Sequence, residues 1–147
     1  MHLINIQLDE EGFYMTVQPI ALFGEAEKGD FKTAYYLKSL HDLAKLLGNP
    51  PKDSIGLYFA VQALLYKHEL IFFRVKEEGF SLQDYFYGLK LLENQKEFEK
   101  ITAFCLPGVG DVGVLDAASK LCFLYHSLMI TSESDLYDYL TYYFRNN

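Results

Sequence analysis

Residues 101–113, Ile-Thr-Ala-Phe-Cys-Leu-Pro-Gly-Val-Gly-Asp-Val-Gly, constrain the fold more than any other stretch of the chain. The apolar, partly β-branched run 101–106 stops at Pro107-Gly108, and a helical pattern opens near Asp111. A run closed by a turn pair and followed by 3.6-residue periodicity predicts a strand, a tight turn and a helix, in that order. The turn holds Gly108, Gly110 and Gly113, which spell G-x-G-x-x-G. Two functions compete for these glycines: dinucleotide binding, and a structural turn in a subunit that assembles with others.

The flanking chain extends the pattern in both directions. Ser54 is placed to cap a helix over 55–66 that is apolar nearly all round, as a helix buried on most sides should be. Residues 70–75 form a near-continuous apolar run, typical of a central strand covered on both faces. Glu77-Glu78-Gly79 reads as its exit turn. Ser81 and Asp84 then give an S-x-x-D helix start before Leu82, Tyr85, Phe86, Leu89 and Leu92 at helical spacing. Residues 94–99 are a charged connection to the strand at 101–106. The helix over 112–125, a short strand at 128–131 and a last helix from about Glu133, with Leu136, Leu140 and Tyr143 on one face, complete the order. From residue 54 helix and strand alternate, so the strands are expected to be parallel and joined by helical crossovers.

Before residue 54 the signals are shorter. Residues 3–8 alternate apolar and polar, as a strand does, and 9–12 form an acidic turn. Residues 14–23 form a second extended segment, in which Pro19 suggests an edge, a bulge or a break. Residues 24–30 are a loop and 34–37 a short strand. Ser39 with Asp42 begins a helix that carries Leu40, Leu43, Ala44 and Leu47, with Gly48 at its C′ position and Pro50-Pro51 beyond. The expected fold is a single α/β domain over 1–147: three layers, a largely parallel sheet, helices on both faces, and N-terminal segments able to add antiparallel edge strands.

Composition narrows the function. Half of the 147 residues are apolar and 22% are charged, which suits one globular domain. Tyr and Phe number 12 each and Trp is absent, so aromatics reach 16% and supply either a Phe/Tyr-rich core or an aromatic contact surface. The formal charge of −7 and the lack of a Lys/Arg cluster argue against nucleic acid as a partner. No run of about 18 apolar residues predicts a membrane span. The N-terminus has no basic region and turns acidic within ten residues, so no signal peptide is expected and a cytoplasmic location follows. Cys105 and Cys122 belong to no C-x-x-C pair. They are most simply buried thiols in a reducing compartment, although a disulfide between them remains open.

No catalytic constellation stands out. His2, His41, His68 and His126 form no metal-ligand spacing, Ser127 beside His126 lies in no G-x-S-x-G elbow, and the paired carboxylates Asp9-Glu10-Glu11 and Glu77-Glu78 fall in predicted turns. Gly24-Glu-Ala-Glu-Lys-Gly29 has P-loop glycine spacing but is followed by Asp30-Phe31, without the Lys and Ser/Thr, and its two glutamates would repel phosphate. No enzyme, metal or cofactor is therefore expected. The dinucleotide alternative uses Gly108, Gly110 and Gly113, with Glu133 or Asp135 about 20 residues further on as the ribose-binding acid. Against it stand Asp111 inside the turn, Pro107 before the first glycine, and only 34 residues after Gly113. In the structural alternative Asp111 is a helix N-cap and the glycines let the strand turn sharply into the helix.

Several stretches, in order, resemble the tail sheath proteins of contractile phage tails and related injection machines. Ala21-Leu-Phe-Gly-Glu-Ala-Glu-Lys-Gly29 resembles that family's strand and Gly-closed loop, and Ser39-Leu-His-Asp-Leu-Ala-Lys-Leu-Leu-Gly48 its following helix. Leu57-Tyr-Phe-Ala-Val-Gln-Ala-Leu-Leu65 and Ile71-Phe-Phe-Arg-Val75 are similar to its apolar helix and the strand ending in Arg-Val. Asp84-Tyr85, Gly88-Leu89 and Leu92-Glu93 resemble its next helix, and Leu106-Pro-Gly-Val-Gly-Asp111 its Pro-Gly turn with an Asp shortly after. The similarity spans roughly residues 20 to 132. This chain has Gly29-Asp30 where the family often has Gly-Pro, and Tyr66-Lys-His-Glu69 where an Asn-Gly-Gly turn is common. The family's large C-terminal region has no counterpart in these 147 residues. The resemblance implies a structural subunit, or an accessory that caps, adapts or regulates. It would act through self-association or contacts with other tail or injection-apparatus proteins, in the cytoplasm or in a phage-like particle assembled there. An assembly subunit should present edge strands or terminal segments to its neighbours, which here means residues 3–8 and the Tyr-rich helix 137–144; the alternative for both is ordinary packing within the monomer.

Overall fold

The computed structural model describes residues 6–8, 14–16, 19–97 and 100–146, with the side chains of 6–8, 14–16 and 143–146 outside the description. Residues 3–5 of the first expected strand, the acidic turn at 9–12, His2, and residues 98–99 of the charged connection lie outside the described residues, as do the side chains of Tyr143 and Phe144.

Among the described residues twelve elements follow one another: β1 (Ile6–Leu8), β2 (Tyr14–Thr16), β3 (Ile20–Gly24), β4 (Ala34–Leu37), α1 (Leu40–Leu47), α2 (Gly56–Leu65), β5 (Leu70–Arg74), α3 (Leu82–Asn94), β6 (Ala103–Cys105), α4 (Val112–Tyr125), β7 (Leu128–Ile130) and α5 (Glu133–Asn146). β1 and β2 form a separate antiparallel pair. The other strands make one sheet in the order β4-β5-β3-β6-β7, parallel except for the antiparallel edge strand β4.

β3 is the centre of this sheet, paired with β5 from Ile20 opposite Leu70 to Gly24 opposite Arg74, and with β6 on its other side. Pro19 breaks the extended segment one residue before the strand. Its missing N–H removes no ladder bond there, and its carbonyl accepts from Thr102 N–H at 3.0 Å. The run Ile20-Ala-Leu-Phe-Gly24 is buried throughout and thus resembles β5, as a strand covered on both faces should.

Side chains of β3 alternate between two cores. Ile20 and Leu22 face α1, α2 and α5, packing with Leu47, Leu57, Phe59, Phe72 and Leu140. Ala21 and Phe23 face α3 and α4, packing with Phe73, Tyr85, Leu89, Phe104 and Val114. The domain is therefore three-layered, with three helices on one face and two on the other. Burying a core side chain such as Phe104 is worth roughly 1.5–3 kcal/mol. Among the described residues no helix is long and apolar enough to cross a membrane.

Local capping follows the sequence in α1 but not in α2 or α3. Ser39 accepts from Asp42 N–H at 3.1 Å, while Asp42 accepts from Lys38 N–H at 3.0 Å. Ser54 does not cap α2. Its hydroxyl donates to the Pro51 carbonyl, and α2 begins at Gly56 with no side chain from its own segment on its first amides. Ser81 makes no side-chain cap of α3; its hydroxyl instead accepts from Glu77 N–H, and Asp84 accepts from Lys76 N–H at 2.8 Å.

Candidate functional site

The parallel strands run in the order β5-β3-β6-β7, so the chain steps from β3 to one side and returns to the other. In open α/β sheets of this kind ligands bind beyond the carboxyl ends of the strands, where the winding reverses. Here that end lies beyond Gly24, Arg74 and Cys105, and the chain's own carboxylates hold amides there. Glu78, from the turn after β5, accepts from Gly56 N–H at 2.7 Å, Ile55 N–H at 2.9 Å and Glu25 N–H at 3.0 Å. Glu25 returns the contact, accepting from Glu78 N–H at 2.9 Å. A carboxylate on the first amides of a helix satisfies orphan donors and complements the positive end of its dipole, as a bound phosphate would.

Close backbone contact makes this possible. A Cβ on either Gly24 or Gly56 would lie 2.7 Å from the other's Cα, so the end of β3 touches the start of α2. Gly79, at φ +85°, sits so near the β6–α4 turn that an added Cβ would be 2.4 Å from the Gly108 carbonyl oxygen. Its N–H donates to Tyr85 Oη at 2.7 Å. Burial, opposed by that hydrogen bond and reinforced by the carboxylates of Glu78, Glu25 and Asp84, pushes the Tyr85 phenol up to about 12.

The β6–α4 turn differs. Gly108 has φ +80°, the left-handed region that favours glycine, and neither Gly108 nor Gly110 has an atom within 4 Å of an added Cβ. Gly113 lies exposed in the first turn of α4, where a Cβ would meet the Asp111 carboxylate at 3.1 Å and the Phe86 ring at 3.4 Å. Asp111 is the N-cap of α4, accepting from Val114 N–H at 3.0 Å. The negative group at this helix start is thus supplied by the chain. Glu133 and Asp135 stand in the first turn of α5, just past the strand that neighbours β6. The fold brings all five residues of the dinucleotide alternative to the carboxyl end of the sheet, with Asp111 among them.

A second concavity lies at the other end of the sheet from β4. A cleft of about 550 Å³ beside β7 is lined by Thr102, Leu128, Asp135, Asp138, Tyr142 and neighbours, including Lys100 and His126. The Thr102 hydroxyl is buried there without a hydrogen-bond partner. α5 turns Leu136, Tyr139 and Leu140 into the core and leaves Tyr137 and Tyr142 outside, 57% and 63% exposed. Leu128 is 57% exposed and Phe123, near the end of α4, 84%. Tyr137 also lines a groove between α2 and α5 with Tyr58 and Tyr66.

Cys105 and Cys122 are free thiols, and no disulfide joins them. Burial raises the Cys122 thiol to about 11 and raises that of Cys105 as well, so neither is poised as a thiolate nucleophile. Among the described residues no group of three or more His, Cys, Asp or Glu side chains converges as a metal site. Sequence inspection places Glu78 in a solvated turn and misses its role. The available signal was the start of α2, whose first amides have no partner nearby in sequence. Compared with protein-family models, curated proteins and solved structures, the chain matches none significantly.

Proposed function

We propose that this chain is an assembly module, a sheath-like subunit or accessory of a contractile tail or injection apparatus, working through protein–protein contacts without a cofactor. One observation carries the reading: Leu128 and Tyr142, both left outside the core, line the cleft beside β7, and Tyr137 lines the neighbouring groove with Tyr58 and Tyr66. Aromatic residues around a cleft and beside a terminal strand are the composition of a contact surface. The Glu78 carboxylate on the first amides of α2 adds support, because it occupies donors that a bound phosphate would use. Light scattering over a concentration series, with negative-stain microscopy of the same samples, tests the proposal. Rings, tubes or concentration-dependent oligomers are expected. A monomer at every concentration would leave only an adaptor that needs a different partner.

Nucleotide binding is the second reading, favoured by the open space over Gly108 and Gly110 and by the shared location of Glu133 and Asp135. Titration with a dinucleotide, followed by calorimetry, tests it directly. Saturable binding that Gly110→Val abolishes would establish it over the first.

A further inference from the structure

The cleft beside β7, of about 550 Å³, has the size of a small-molecule site. β7 gives it an apolar wall through Leu128, Met129 and Ile130. Lys100 and His126 reach it from the segments before β6 and β7, and Asp135 and Asp138 from α5. Among the described residues the one ion pair is Lys90–Glu93 within α3, so the charges around this cleft do not pair with one another. Opposite charges that share a cleft without pairing leave both signs available to a ligand.

The two signs are displaced along the cleft. Lys100 and His126 lie at the amino ends of their strands. α5 follows the carboxyl end of β7 and runs back, and by Tyr139 it has reached His68, just ahead of β5, with ring centroids 5.6 Å apart. Asp135 is one turn earlier in α5, about 6 Å nearer the carboxyl end at 1.5 Å per residue. Thr102 adds a buried polar group. It lines the cleft, is 7% exposed, and its hydroxyl has no hydrogen-bond partner. A hydroxyl buried in this way costs stability unless something bonds to it, and a ligand in the cleft would do so.

We infer that this cleft binds a small zwitterion of dipeptide size, its ammonium on Asp135 and Asp138, its carboxylate on Lys100 with His126 beside it, and its apolar body against β7. An extended dipeptide spans about 7 Å, which matches the offset between the two signs. The Thr102 hydroxyl is the group left to bond the polar backbone between the two charged ends. The inference goes beyond the assembly reading and does not rest on it.

Calorimetric titration of the full chain with alanyl-leucine, its N-acetylated form and its C-terminal amide provides the test. The free dipeptide is expected to bind saturably, and each blocked form about tenfold or more weaker, because each leaves one protein charge unmatched. Asp135→Asn/Asp138→Asn should weaken the free dipeptide and the amide but cost the acetylated form nothing further. Lys100→Met should weaken the free dipeptide and the acetylated form but not the amide. Thr102→Val, which removes the unpartnered hydroxyl at constant shape, should weaken binding several-fold without lowering the urea midpoint. No saturable binding at millimolar dipeptide would overturn the inference, as would binding indifferent to either block. Either result leaves the assembly reading, which light scattering tests, where it stands.

Discussion

Helices α2 and α4 both begin at the carboxyl end of the sheet, and both have a carboxylate on their first amides. The similarity ends there. At α4 the carboxylate is Asp111, three residues from the amide it accepts from. At α2 it is Glu78, more than twenty residues further along the chain, and it also holds Glu25 from the loop after β3. The first arrangement is a local cap that fixes one helix end. The second is a clasp that joins β3, α2 and the β5–α3 turn. A local cap restrains a segment already close in sequence, whereas the clasp determines whether three segments meet at all. Glycines divide in the same way: Gly24, Gly56 and Gly79 are crowded by backbone, while Gly108 and Gly110 face open space.

The sharpest way to break this comparison is to remove Glu78. Glu78→Ala leaves three amide donors without their acceptor and is expected to cost about 3 kcal/mol. Urea denaturation measures it, and a loss no larger than that of an ordinary cap would reduce the clasp to a cap. Next comes Gly79→Ala, expected to cost about 2 kcal/mol from positive φ and contact with the Gly108 carbonyl. Gly110→Ala serves as its control and should change stability by no more than about 0.5 kcal/mol. Equal effects at the two positions would contradict the distinction between crowded and open glycines.

Asp111→Ala should cost about 1 kcal/mol, the usual worth of an N-cap. If its main effect were instead on nucleotide affinity, the structural account of the turn would be wrong. The smallest effect concerns pH. Burial holds the His68 imidazole below its ordinary 6.5, so the unfolded chain binds a proton that the folded one does not. The stability contributed by the neutral ring is present above about pH 6.5 and is lost as pH falls toward the lowered folded value. Denaturant midpoints across that window should fall less steeply in His68→Gln. Parallel slopes in the two proteins would assign the acid sensitivity to other groups.

How much could be read beforehand differs from element to element. Strand and helix alternation after residue 54 was legible because buried runs and helical stripes leave different periods in the sequence. The Pro107-Gly108 turn and the Asp111 and Ser39 caps were legible because donor and acceptor lie within one turn of each other. The central place of β3 was not. Its four apolar residues, Ile20 to Phe23, look like those of β5, and Pro19 before them suggests an edge as readily as a strand start. Ser54 and Ser81 illustrate the opposite error, since both match a capping pattern while their hydroxyls serve the preceding turn. For the candidate sites, the glycine turn was visible as a motif, whereas the cleft beside β7 was not, because Thr102, Leu128 and Tyr142 meet only after β6, β7 and α5 pack.

The sequence alone determined the class of fold, the order of its elements and the caps of α1 and α4, because periodicity and capping act over a few residues. Tertiary structure alone decided which strand is central and which carboxylate holds α2. Those outcomes depend on strand order, which long-range burial selects, and no local interaction in the chain encodes it.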